Sequence, residues 1–287
     1  MKHFTYSFII PHRNSPVLLN RCIESIPKKD DVQIIVVDDN SDDDKKPQVT
    51  RTDVEVIYIS RVDSRGAGHA RNVGLSIAKG KWILFPDADD YYTQGAFNCL
   101  EKYITSDYDV IYMNYVVLLD GKMLNKNTPI SNYDGSENKL NYIRYKVNEP
   151  WVKMVRRDFV ESNNIQFEET INGNDIFFSL QVGYKANKIE VEKHPIYTYV
   201  DYRNSVTKRI KSTESYYCRV KHLMQKKMFL KSLGLQNYVM PLPVFFIKRL
   251  KNPGVVGTLK LIFYIFCHWK ETKESRSLFV DKILNNI

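Results

Sequence analysis

Three carboxylates within four positions, Asp87, Asp89 and Asp90, follow an apolar run, Trp82 to Phe85, that Pro86 stops. Like charges this close repel one another, so an isolated cluster costs stability unless a cation sits among them. Carboxylates delivered to one point by the end of a short buried strand suit a hard divalent cation, Mg²⁺ or Mn²⁺, of the kind that also grips a substrate phosphate. A solvated acidic turn is the plainer alternative. Arg71, upstream near a helix start, has two readings: it pairs with a diphosphate, or simply with Asp87 or Asp90. Trp151 comes forward from a Pro-marked loop, either as core or as a face on which a sugar or base stacks. In Asn172-Gly-Asn-Asp-Ile-Phe-Phe, Asn174 or Asp175 is a natural helix N-cap, with Ile176, Phe177 and Leu180 turned inward.

The elements that must position these residues alternate. Thr5 to Ile10 is apolar and aromatic, and Pro11-His-Arg-Asn14 ends it. Ser15-Pro16 opens a helix whose Leu18, Leu19, Cys22, Ile23 and Ile26 share one face. Val32 to Val37 is a β-branched run suited to a strand covered on both faces, and Val54 to Ile59 is a third strand. A helix over Ala70 to Ala78 with Gly80 as its cap follows. This alternation predicts a mainly parallel sheet covered by helices. Ligands of such sheets bind at the carboxyl ends of the strands, where Arg13, Asp39 and the Asp87 cluster would all sit. Ala96 to Ile104 reads as a helix, Asp109 to Leu119 as one or two strands closing at Asp120-Gly121, and Asn125 to Tyr145 as loop-rich. There is neither a GxGxxG fingerprint nor a P-loop, which leaves a Rossmann dehydrogenase or P-loop nucleotidase unsupported.

Charge separates the chain into two parts. From Arg203 onward there are 17 Lys and Arg against 4 Asp and Glu, whereas the part before it holds 25 against 29. A near-neutral body with a basic end points to an anionic surface as partner, and the lack of zinc-finger, RRM or basic-zipper patterns makes that partner a membrane and not a nucleic acid. Four widely spaced cysteines without CxxC spacing fit reduced thiols in the cytoplasm. The first residues lack a signal-peptide core and read as a strand. Thr213 to Leu233 is a helix candidate with Tyr217, Val220, Met224 and Met228 as its apolar stripe. Pro243 to Leu250 and Val255 to Trp269 are apolar stretches beside basic residues, too short and interrupted to span a bilayer; they either lie on an anionic inner membrane face or pack on the body.

Taken together, Phe8-Ile-Ile-Pro-His-Arg-Asn14, Ile34-Ile-Val-Val-Asp-Asp-Asn-Ser41, Gly68-His-Ala-Arg-Asn-Val-Gly74 and Gly80-Lys-Trp-Ile-Leu-Phe-Pro-Asp-Ala-Asp-Asp90 resemble family 2 inverting glycosyltransferases of the GT-A fold, of the bacterial polysaccharide-building kind. Trp151, Phe167, Asn174-Asp175 before Phe178, Tyr197-Thr-Tyr199 and Asn204-Ser205 extend the resemblance, which covers roughly residues 6–208. It implies a GT-A domain over 1–208, with a nucleotide-binding half to about 120 and an acceptor half after it, and a basic helical region over 209–287. It also implies a nucleotide-diphosphate sugar donor and a glycan or lipid-linked acceptor. Pro11, Arg13 and Asp39 would line the nucleobase pocket with Arg71 nearby; Asp87 would reach ribose or metal, and Asp89 would hold Mn²⁺ or Mg²⁺. Asp175 would be the catalytic base, with Trp151 and Asn174 on the acceptor side. Two positions depart from the family pattern: Asn174-Asp175 stands where Glu-Asp is usual, and His12-Arg13 where Thr/Ser-Tyr is usual. A non-catalytic GT-A-like scaffold and a nucleotidyltransferase are the other readings; the latter lacks its Gly-rich basic N-terminal loop.

Overall fold

The computed structural model describes residues 3–170, 172–201, 213–238, 259 and 263. In chain order they form β1 (Tyr6–His12), α1 (Pro16–Glu24), β2 (Val32–Asp39), β3 (Val54–Ile59), α2 (Ala67–Ile77), β4 (Trp82–Leu84), β5 (Tyr91–Tyr92), α3 (Ala96–Glu101), β6 (Val110–Leu119) and β7 (Lys122–Leu124). Then come α4 (Glu137–Lys146), a 3₁₀ turn at Pro150–Val152, β8 (Lys153–Arg156), α5 (Arg157–Ser162), α6 (Asn174–Lys185), β9 (Ile189–Asp201) and α7 (Thr213–Ser232).

One sheet runs β3-β2-β1-β4-β8-β6-β9-β5, with β7 paired to β6. The first four strands are parallel, β8 runs antiparallel to both neighbours, and β6 and β9 are parallel again. The parallel half follows from composition: Phe8, Ile9, Ile10 and Ile34 to Val37 are buried on both faces, as their unbroken apolar runs require. Its register sets Pro11 beside Val37 and His12 beside Asp38, so the carboxyl ends of β1 and β2 finish level. β4 pairs with β1 through Tyr6–Trp82 and Phe8–Leu84, which carries the Asp87 cluster to the same edge. The hairpin at Asp120-Gly121 has both residues left-handed, φ 48° and 76°, the twist that a two-residue turn needs.

Four expectations need correction. α2 starts earlier, at Ala67, and ends at Ile77 with Ala78 extended, so Gly80 is no cap; a Cβ on Gly80 would lie 2.4 Å from the Tyr6 carbonyl carbon, and its job is to let this loop close onto β1. α3 stops at Glu101, short of Ile104. The stretch read as loop contains α4, a polar helix held by Arg144, whose guanidinium donates to the carbonyls of Gly183, Tyr184 and Ala186. Finally, α7 buries His222, Met224, Gln225, Lys226, Phe229 and Leu230. Phe229 and Leu230 cluster with Tyr145, Phe177 and Leu180, so this first helix of the basic region packs on α6, and Met228 of the expected stripe is only half-buried. Asn204-Ser205, the boundary at 208 and the apolar stretches over 243–250 and 255–269 (Leu259 and Phe263 apart) lie outside the described residues. Among the described residues no helix is long and apolar enough to cross a membrane.

Candidate active site

The carboxyl ends of β1 and β2 bear a buried polar network. His12 Nε2 accepts the Ser15 amide at 3.1 Å, which puts the ring proton on Nδ1, 2.7 Å from Asp38 Oδ1. Asp38 also accepts from the amide and hydroxyl of Ser41, and that hydroxyl accepts the Asn14 amide. Asn14 and Asn40 both have φ 56°, which local side-chain bonding makes tolerable. His12, one of the departures from the family pattern, is therefore a loop brace, buried at 2% exposure. Its neighbour Arg13 points out, with a side chain 56% exposed and 3.7 Å from Asp39, while Pro11 is half-buried beside them. Asp39 is buried; Oδ2 takes the Gly66 amide at 3.0 Å, and Oδ1 has no partner among the described residues. A buried carboxylate oxygen left bare is costly and marks a place where a ligand donor fits.

Asp87, Asp89 and Asp90 offer oxygens within 4.8 Å of one another. Burial pushes all three carboxyls up: Asp87 against the opposing pull of Arg71, Asp89 to about 6 with help from Asp87, and Asp90 well above the usual carboxylate range. The three are not alike. Asp90 is anchored, taking the Tyr197 hydroxyl at 3.0 Å and the Val200 amide at 2.7 Å, and Tyr197 in turn accepts the Asp87 amide. Asp87 and Asp89 keep partial exposure. An all-oxygen set of mutually repelling carboxylates fits a hard divalent cation, Mn²⁺ or Mg²⁺.

The Arg71 guanidinium lies 2.6 Å from Asp87 Oδ1 and 3.3 Å from Asn174 Oδ1. α2 comes this close to α6 because Gly68 has no side chain; a Cβ there would sit 2.1 Å from the Glu168 carbonyl and 2.8 Å from Asn174 Cβ. His69, Arg65 and Asn72 extend the contact by binding the Glu169 carboxylate, which they hold down at about 2.

The N-cap of α6 is Gly173, with φ 80°, rather than Asn174 or Asp175. Asp175 therefore stands in the first helical turn, half-buried and spared from capping. Its neighbour Asn174 shares the Arg71 guanidinium with Asp87, which brings base and metal candidates to one place. Trp151 is 7% exposed, nearly parallel to Tyr197 and Tyr199 at 5.0 and 5.6 Å and edge-on to Tyr115, so its stacking partners lie within the protein.

Sequence reading missed the lysines. Lys153 is fully buried, donating to the Val147 and Glu149 carbonyls, and burial holds it down at about 7. Lys226 is 3% exposed, donates to Asn148 Oδ1 and is held down at about 8. The signal for Lys153 was its place inside the apolar run Val152 to Val155, and for Lys226 its spacing from Phe229 and Leu230. A concavity of about 610 Å³ lined by Phe4, Lys28, Val32 and Lys79 lies at the opposite, amino end of the strands and takes no part in this arrangement.

The model of the glycosyl transferase family 2 matches residues 7–163. EpsH of Bacillus subtilis is 25% identical over 242 residues, 80% of this chain and 66% of that protein. The GalNAc(5)-diNAcBac-PP-undecaprenol beta-1,3-glucosyltransferase of Campylobacter jejuni is 28% identical over 201 residues, covering 65% and 62%. The poly(ribitol-phosphate) beta-glucosyltransferase of Bacillus spizizenii is 29% identical over 205 residues, covering 68% of this chain and 32% of that one. The chain thus spans from a third to just under two thirds of the length of these relatives. The crystal structure of Staphylococcus aureus TarS 1–349 in complex with UDP-GlcNAc superposes with a TM-score of 0.63 at 21% identity, over 78% of this chain and 67% of that one, a likeness of fold. A GT-A fold and a family match across more than half the chain lead to one assignment: this protein belongs to glycosyl transferase family 2.

Proposed function

We propose that this protein transfers a sugar from a uridine-diphosphate donor to a glycan or lipid-linked acceptor in cell-surface polysaccharide synthesis. The observation that carries the reading is the convergence, at one edge of the sheet, of the Asp87–Asp89 pair with Asp175, whose neighbour Asn174 shares the Arg71 guanidinium with Asp87. The relatives whose names specify glucosyl transfer to poly(ribitol-phosphate) or to an undecaprenol-linked glycan, and the TarS complexes with UDP and UDP-GlcNAc, support the choice of donor and acceptor class.

In this reading Asp39, with its bare Oδ1, takes an N–H of the base, and Arg13 and Pro11 wall the pocket. Asp89 and Asp87 would hold Mn²⁺ or Mg²⁺, and Asp90 ties their turn to β9. A bound divalent cation would supply positive charge for the leaving diphosphate. Asp175 takes the proton of the acceptor hydroxyl as its oxygen attacks the anomeric carbon opposite the leaving group, inverting the centre. Asn174 keeps hydrogen-bonding capacity where a second carboxylate is usual, and it is turned toward Arg71. Trp151 backs the acceptor side from within. The basic region places the enzyme on the inner membrane face.

Calorimetric titration with UDP, GDP, CDP and dTDP, each with Mn²⁺ and with EDTA, tests the donor site. The expected result is binding of UDP that needs the metal and disappears in Asp89→Ala. A folded protein that binds none of the four would overturn the reading in favour of a scaffold.

A further inference from the structure

We infer that α7 positions the candidate base and the loop facing it through His222 and Lys226, so that a helix beyond the family-matched residues completes the acceptor side; this rests on the reading of Asp175 as base. The two side chains are four residues apart on one helical face, and each is at least nine-tenths buried. The His222 imidazole faces the backbone of Asn172 and Gly173, the two residues before Asn174-Asp175, its Nδ1 has no partner among the described residues, and its ring packs edge-on against Phe177 at 5.4 Å. Lys226 donates to Asn148 Oδ1 at 2.5 Å. Asn148 lies in the segment before Pro150-Trp151, whose other ties are the Ser179 hydroxyl on the Asn148 carbonyl and the Lys153 ammonium on the carbonyls of Val147 and Glu149.

One helix thus grips both backbone segments that converge on Asp175. Mere cover for α6 needs no polar groups, and Phe229 and Leu230 provide that cover one turn further on. Burying an ammonium and an imidazole is costly in an apolar site, and here both are aimed at main-chain or amide acceptors beside the base. The groups that face Asp175 electrically are Asp87 from the β4 edge, Lys153 from β8 and Lys226 from α7, with Glu149 acting on both lysines.

The test uses the full chain and the variants His222→Leu, His222→Gln, Lys226→Met and Lys226→Gln; each Gln keeps an N–H donor. UDP release from UDP-GlcNAc and UDP-glucose gives kcat and KM, titration gives UDP affinity, and amide exchange follows 147–149 and 172–175. We expect the apolar variants to lose tenfold or more in kcat with UDP affinity within twofold of the parent, faster exchange confined to those segments, and substantial recovery in the Gln variants. Parental kcat in the apolar variants, or UDP affinity lost in step with turnover, overturns the inference. If Lys226→Met does not fold, Asn148→Ala removes the same contact from the other side and is judged by the same criteria. Exchange needs no donor: a parent protein that binds no nucleotide refutes the proposed function, while unchanged exchange at 172–175 in His222→Leu refutes the positioning by itself.

Discussion

Arg71 and Asp87 form a charge pair at 2.6 Å whose guanidinium is also shared with Asn174, so one side chain links the metal-candidate turn after β4 to the first turn of α6. Arg71 itself is 5% exposed and lies over the Phe167 ring at 5.3 Å, which leaves it no alternative partner in water. The pair sets the distance between the carboxylate that would carry the cation and the residue beside the base.

Replacing Arg71 with Met keeps the apolar stem and deletes the charge. Asp87, already raised by burial, then loses the opposing influence of Arg71. The expected cost is on the order of 1 kcal/mol in stability, because Asp87 keeps partial exposure and can take up a proton once the guanidinium is gone. Metal-dependent UDP affinity should fall about tenfold or more. Urea unfolding and titration measure the two separately, and a variant as stable as the parent would show that the pair is not energetically important.

Asp175→Asn preserves shape and removes the proton acceptor. Turnover of a UDP-sugar should fall by roughly 10²- to 10⁴-fold, the usual worth of a positioned base. UDP binding with Mn²⁺ should stay within about twofold, since the direct charge partner of Asp87 is Arg71. Near-parental turnover would remove Asp175 from the role of base.

How far these sites were legible depended on whether a residue obeyed its element's pattern. β1 and β2 declared themselves by unbroken apolar runs, and the Asp87 cluster by the Pro that precedes it. α4 stayed hidden because its few apolar anchors, Leu140, Ile143 and Tyr145, stand among Asn, Lys and Arg, and part of its hold is Arg144 on carbonyls of the α6 end. α7 misled because its buried face carries His222, Gln225 and Lys226 among apolar residues, and polar residues are counted as exposed by default. The cap of α6 turned on Gly173 adopting a left-handed φ, which no side-chain rule signals when Asn and Asp stand next to it. His12 stood out only as a departure from the family pattern, and tertiary contact with Asp38 reveals it as a brace.

Gly68→Ala adds one methyl where the Glu168 carbonyl and Asn174 Cβ already stand. The neighbours are backbone and a helix residue, so the clash is relieved by moving the 168–174 segment, with a cost of about 1 to 3 kcal/mol. Turnover should drop more than UDP affinity, because the displaced segment leads to Asp175. A crystal structure of the variant with 168–174 unmoved would contradict this account.

His222 gives a pH signature that can be separated from the carboxylates. Burial, aided by Lys221, holds it down at about 4, against 6.5 in an unfolded chain. Between those values the unfolded chain takes the proton and the folded one does not. The stability associated with neutral His222 is therefore complete above about pH 6.5 and is lost as pH falls toward 4, about 2 kcal/mol of it by pH 5. Asp89, raised to about 6, works in the opposite sense: its unfolded carboxyl ionises first, so the fold gains from that group as pH falls through 6. The parent's own curve mixes the two. The difference between parent and His222→Gln isolates the histidine, and we expect the variant to lose less stability than the parent between pH 7 and 5 in urea unfolding. Parallel curves would mean that His222 is solvated and that α7 does not hold it against Asn172 and Gly173.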